Sequence, residues 1–225
     1  MLTPKGWAAT KAPTDSMKTL SQIIVLLLSP TRLVIDGLKD RRKNAQGKAD
    51  LLLKWNRDFF RYDIFIALTL GIVSSSLFPQ NALPLVLGWV VFIVACSRCN
   101  EIVCALLHDV GRELDFAKSS TALTTGQRVK MAMRSYMGLL INFGEIYYLL
   151  PRLFPAAFFD PPLKNFVDAL YFSGITIATV GYGDIKPDHV VTKLLVLYEL
   201  FSGLLLVVVA LSVYLAAYGS QRNKK

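Results

Sequence analysis

The chain has 225 residues, 53% of them hydrophobic and 18% charged, with a formal net charge of +9. So apolar a composition points to a membrane protein rather than a water-soluble enzyme. The three cysteines, Cys96, Cys99 and Cys104, share one apolar stretch without a second CxxC or a histidine cluster, which argues against a disulfide framework and against metal or redox chemistry.

The first apolar run, LSQIIVLLLSP (Leu20 to Pro30), is too short to cross a bilayer and carries no small-residue cleavage site. Residues Ser16 to Leu38 therefore read as a helix at the membrane surface, or as one packed on the cytosolic linker. Residues 1–58 form an N-terminal region with no nucleotide or metal motif. Four apolar segments then approach the ~20 residues that a crossing helix needs. They run from about Phe59 to Phe78, Leu83 to Leu107, Tyr136 to Phe154 and Val191 to Tyr218. Gln80 and Asn81 make the first two a hairpin, residues 59–110. A Ser/Thr-rich, then basic linker, 111–135, leads to a third unit, 136–219, and a short tail, 220–225.

Of the 25 basic residues, 11 precede Phe59, five lie between His108 and Ser135, and three follow Tyr218. Arg152, Lys164, Lys186 and Lys193 fall on the other side. The positive-inside rule puts both termini and the linker in the cytoplasm, and the inner (plasma) membrane is the expected location. The positive charge is then topology and contact with anionic lipid, through Arg128, Lys130 and Arg134 among others, not a nucleic-acid footprint.

Between the third and fourth segments lies NFVDALYFSGITIA (Asn165 to Ala178), followed by TVGYGD. Asn165 is a helix-capping residue and Asp168 suits the positive end of a helix. This helix is too short to cross. It enters from outside and stops within the membrane, so the next residues return as extended backbone. Such backbone is tolerated only where it is buried in protein or lines a wet cavity. Gly181 and Gly183 alternate with other residues, and glycine adopts left-handed backbone without steric cost. Alternating handedness turns successive carbonyls to one side, where a cation can meet them. Val180 and Tyr182 are then expected to pack against the short helix.

TVGYGD resembles the selectivity filter of potassium channels, and the resemblance covers roughly Tyr136 to Tyr218. In such filters, backbone carbonyls take the place of the water around the ion. The resemblance implies an all-α membrane protein with four transmembrane helices, a re-entrant pore helix and an extended filter, assembled as a homotetramer. The carbonyls of Thr179, Val180, Gly181 and Tyr182 and the Thr179 hydroxyl would line the sites for K+, a permeant ion rather than a cofactor, and Gly183 would complete the filter. Asp184 and Lys186 would stand at the outer mouth. Tyr171 and Phe172 match the family's aromatic pair, whereas Ile175 replaces a carboxylate that pairs with the filter aspartate in some members. Asp184 must then be held by other groups or by water.

The resemblance also implies an inner helix with a glycine beyond the filter, and Gly203 is twenty residues past Gly183. That glycine serves either as a hinge or for close packing. Leu204, Val207, Leu211 and Leu215 share a helical face. By analogy they line the cavity and can close it as an apolar ring. Glu199, an intramembrane acid, calls for a partner, and a hydrogen bond to the pore helix or a neighbouring subunit is expected. Glu145 is a similar case. Arg98 and Glu101 read as a local ion pair at the inner surface, too little for a voltage sensor.

No ligand-binding domain is expected after Tyr218, and neither His108 nor His189 sits in a catalytic constellation. The leading expectation is a potassium channel subunit. The alternatives are a non-conducting or regulatory membrane subunit, or a potassium transporter subunit; a single, intact TVGYGD speaks against the last.

Overall fold

The computed structural model describes residues 37–38, 45–73, 85–114 and 123–222, with side chains described up to position 107 in the second helix and 212 in the last. Among the described residues from 45 on, five helices and a pair of two-residue strands make up the fold. They are α1 (Ala45–Val73), α2 (Leu85–Leu114), α3 (Thr125–Leu153), β1 (Phe159–Asp160), α4 (Phe166–Ile177), β2 (Lys186–Pro187) and α5 (Val190–Arg222). The surface helix expected at 16–38 and the turn at Gln80 and Asn81 fall almost wholly outside the described residues. α1 runs without a break through positions 58 and 59.

The basic linker turns into helix at a definite point. Thr124 Oγ1 accepts from the Gln127 N–H at 3.3 Å while Gln127 Oε1 accepts from the Thr124 N–H at 2.9 Å. This reciprocal cap satisfies two N–H groups that the first turn leaves unpaired. α3 then becomes the hub of the fold, packing against α1, α2, α4 and α5. Its residues Gly138, Leu139 and Ile141 to Leu150 are all buried.

The mostly helical architecture agrees with the expectation from sequence, but the four segments expected to cross do not look alike. Among the described residues, two stretches are long and apolar enough to cross a membrane, Leu85–Leu107 and Val190–Ser212. α1 and α3 fall short by composition. The reason is visible in α3. Asn142 and Glu145 are buried at 1% exposure, so they face other helices rather than lipid, and enclosure lets the helix be more polar than one facing hydrocarbon.

At the end that carries β1 and β2 an aromatic cluster joins three elements. Tyr147 of α3, Phe172 of α4 and Phe159 of β1 meet edge to face with centroids 5.1 to 5.7 Å apart, a favoured arrangement for aromatic quadrupoles. β1 pairs antiparallel with β2, Phe159 opposite Pro187 and Asp160 opposite Lys186. Thr192 Oγ1 donates to Phe158 O at 3.0 Å. The chain before α4 is thus fastened to the chain beyond residues 178–185.

Candidate functional site

The short helix α4 is built by its own sequence. Asn165 Oδ1 accepts from the Asp168 N–H at 2.9 Å, and Asp168 Oδ2 accepts from the Lys164 N–H at 2.9 Å and the Asn165 N–H at 3.4 Å. The helix has twelve residues, about 18 Å at 1.5 Å per residue, so it reaches only partway through a ~30 Å hydrocarbon layer.

Its last turn anchors the strand beyond it. Ala178 N–H donates to Gly174 O at 3.2 Å, Thr179 N–H to Thr176 O at 2.9 Å, and Val180 and Gly181 N–H to Ile175 O at 2.8 and 3.2 Å. The backbone then alternates in handedness, with φ +59° at Thr179, +54° at Gly181 and +77° at Gly183. Glycine adopts these angles freely, but a β-branched threonine at positive φ is a strained outlier, costing about 1–3 kcal/mol. The hydrogen bonds to α4 hold it there. The sequence pointed to the two glycines and missed Thr179. No backbone carbonyl from Thr179 to Gly183 has a hydrogen-bond partner among the described residues. The N–H donors from Ala178 to Gly181 are tied back to α4, and the carbonyls beyond are left over.

Val180 and Tyr182 depart from the expected packing against α4. They are 50% and 71% exposed, because the strand attaches to α4 through its backbone N–H groups and not through these side chains. Asp184, exposed beside the strand, accepts from Tyr171 Oη at 2.8 Å. The missing carboxylate partner is replaced by a phenol at another position of α4; Ile175 is buried. Lys186 is exposed in β2.

α5 touches α4 at two successive turns. Glu199 is fully buried. One of its oxygens accepts from Tyr147 Oη of α3 at 2.8 Å, and the other is hydrogen-bonded to Ser173 Oγ of α4. One turn on, Gly203 is buried against Ile177, where an added Cβ would come within 2.5 Å of Ile177 Cγ1. Close packing therefore requires glycine at this position. Leu204, Val207 and Leu211 are exposed along α5 at 51%, 50% and 54%; the Leu215 side chain lies outside the described residues.

Arg98 pairs with Glu101 as the sequence suggested, and the structure adds further partners. It is buried and bridges helices. Its guanidinium contacts Glu101 at 2.7 Å and Asp63 of α1 at 3.9 Å, and lies 4.1 Å from the centre of the Phe59 ring. Trp55 Nε1 donates to Glu101 Oε1 at 3.1 Å. The cluster bonds α1 to α2. Only its Arg98–Glu101 part was legible, from the i,i+3 spacing; Asp63 is distant in sequence.

A short helix whose end feeds a carbonyl-rich strand, set between two long helices, is the arrangement expected of a re-entrant pore unit. Residues 135–219 match the family model described as ion channel. The chain is 57% identical over 37 residues to two-pore potassium channel 2 of Arabidopsis thaliana, covering 16% of this chain and 8% of that protein. It is 48% identical over 40 residues to the hyperpolarization-activated voltage-gated potassium channel of Methanocaldococcus jannaschii, covering 18% and 19%. It is 32% identical over 89 residues to Arabidopsis two-pore potassium channel 3, covering 39% and 18%. The chain spans less than a fifth of the length of these three relatives. No solved structure matches. By these matches the C-terminal part of the chain is similar to ion channels, potassium channels among them.

Proposed function

We propose that the protein is one subunit of a potassium-selective channel in which four chains close around a pore. The observation that carries this reading is the backbone from Thr179 to Gly183, with alternating handedness and unpartnered carbonyls. Four such strands around one axis would present rings of oxygen able to replace the hydration shell of K+. The carbonyls of Thr179, Val180, Gly181 and Tyr182 and the Thr179 hydroxyl are the ion ligands in this reading. Four copies close the ring by cyclic symmetry. Neighbouring chains would cover Val180 and Tyr182, and Leu204, Val207, Leu211 and Leu215 would line the cavity below. Asp184 and Lys186 would flank the outer mouth. The subunit sits in the inner membrane with both termini cytoplasmic and its basic linker on anionic lipid.

Purified protein in liposomes tests this by flux. Downhill K+ flux well above Na+ flux is expected, from detergent complexes holding four chains of 25.0 kDa each. Equal fluxes, or no flux from a complex of that mass, would overturn the reading. The second outcome would favour a non-conducting subunit.

A further inference from the structure

The proton count around Glu199 goes beyond the channel reading. Ser173 Oγ lies 2.8 Å from Leu140 O of α3 and at hydrogen-bonding distance from Glu199 Oε1. A serine hydroxyl owns one hydrogen. If Glu199 were a carboxylate, three oxygens would share that one hydrogen, and the negative charge would be buried without a cation. No basic side chain pairs with Glu199 among the described residues. The carbonyl end of α4 lies beside the next turn of α5, since a Cβ at Gly203 would be 3.5 Å from Ile177 O. The negative end of a helix dipole disfavours an anion nearby, and a lone buried charge is costly in any case.

We propose that Glu199 works as a neutral acid that donates to the pore helix. Its own hydrogen goes to Ser173 Oγ, the Ser173 hydrogen goes to Leu140 O, and Tyr147 donates to the second Glu199 oxygen. Every contact then has its own hydrogen. The relay fastens α4 to α3 and α5 at one level. Ile175, whose carbonyl holds the Val180 and Gly181 N–H groups, is two residues further along α4. Glu199 is therefore a positioning residue for the strand from Thr179 to Gly183, and it acts in its uncharged form.

The functional arm of the test rests on the channel reading; the spectroscopic arm does not. Glutamine reproduces the neutral pattern, with an N–H for Ser173 and a carbonyl for Tyr147, but cannot carry charge. Glu199→Leu should lower the ratio of K+ to Na+ flux in liposomes about tenfold, and Glu199→Gln should return it to within about twofold of the parent. If Glu199→Leu fails to assemble, Ser173→Ala breaks the same relay with a smaller change and should lower the ratio likewise. Glu199→Gln as impaired as Glu199→Leu, or Ser173→Ala with unaltered selectivity, would overturn the proposal. The infrared difference spectrum of parent minus Glu199→Gln at neutral pH should show the carbonyl band of a protonated carboxyl. Carboxylate bands in its place would sink the idea even if the parent conducts. A parent without K+ selectivity ends the channel reading and leaves the infrared result to decide the protonation alone.

Discussion

Gly203→Ala is the sharpest perturbation of the contact between α5 and α4. The added methyl would lie 2.5 Å from Ile177 Cγ1, 3.2 Å from Ile177 Cδ1 and 3.5 Å from Ile177 O. Carbon atoms pack at about 3.5–4.0 Å, so the closest contact is short by roughly 1 Å. Cγ1 is the first atom beyond Cβ and cannot swing clear without an off-rotamer side chain or a shift of α4. Overpacking of this kind costs about 1–3 kcal/mol, while alanine gains roughly 0.8–1.0 kcal/mol of helix propensity over glycine. The single variant alone therefore confounds two terms. A double-mutant cycle with Ile177→Ala separates them, because the propensity gain cancels while the clash disappears with the isoleucine. The double variant should be less destabilised than the sum of the singles by about 1–3 kcal/mol, read from tryptophan fluorescence during denaturing-detergent titration. K+ flux should show the same pattern. If glycine serves here as a hinge, alanine would impair flux whatever occupies position 177. A coupling within ~0.5 kcal/mol of zero, with flux lost equally in both backgrounds, would refute the packing argument.

Two more perturbations have definite expected outcomes. Arg98→Met leaves Asp63 and Glu101 buried without their cation and should cost about 3–5 kcal/mol, most of it regained when Asp63→Asn and Glu101→Gln are added; unchanged resistance of Arg98→Met to denaturing detergent would contradict the cluster. Leu211→Asn should raise basal K+ flux if the exposed face of α5 closes the cavity as an apolar ring, and unaltered flux would show that this face does not gate.

How much the sequence disclosed depends on how far apart the interacting residues lie. α4 was legible because Asn165 and Asp168 bond within one turn. The glycines of the strand were legible because positive φ favours glycine. Thr179 was not, since local preference argues against a β-branched residue there; the bonds from its own N–H and the next two to α4 outweigh that preference. Asp184 is a similar case. Sequence resemblance implied that the carboxylate partner of some family members is absent, but not that Tyr171, thirteen positions earlier, supplies the hydroxyl. α3 was read as a crossing segment like the others; that its residues face neighbouring helices was not legible, because periodicity cannot distinguish a neighbouring helix from lipid and only the packing shows the enclosure. Glu199 drew notice as an acid in an apolar run, yet its state depends on Ser173, Leu140 and Tyr147, brought together by two other helices. The residues that remain uncovered, Val180 and Tyr182 on the strand and Leu204, Val207 and Leu211 on α5, continue the same logic one level up. The chain ties the N–H donors from Ala178 to Gly181 back to α4 and leaves carbonyls and apolar side chains over, a surplus that in the proposed tetramer neighbouring copies and a cation would absorb.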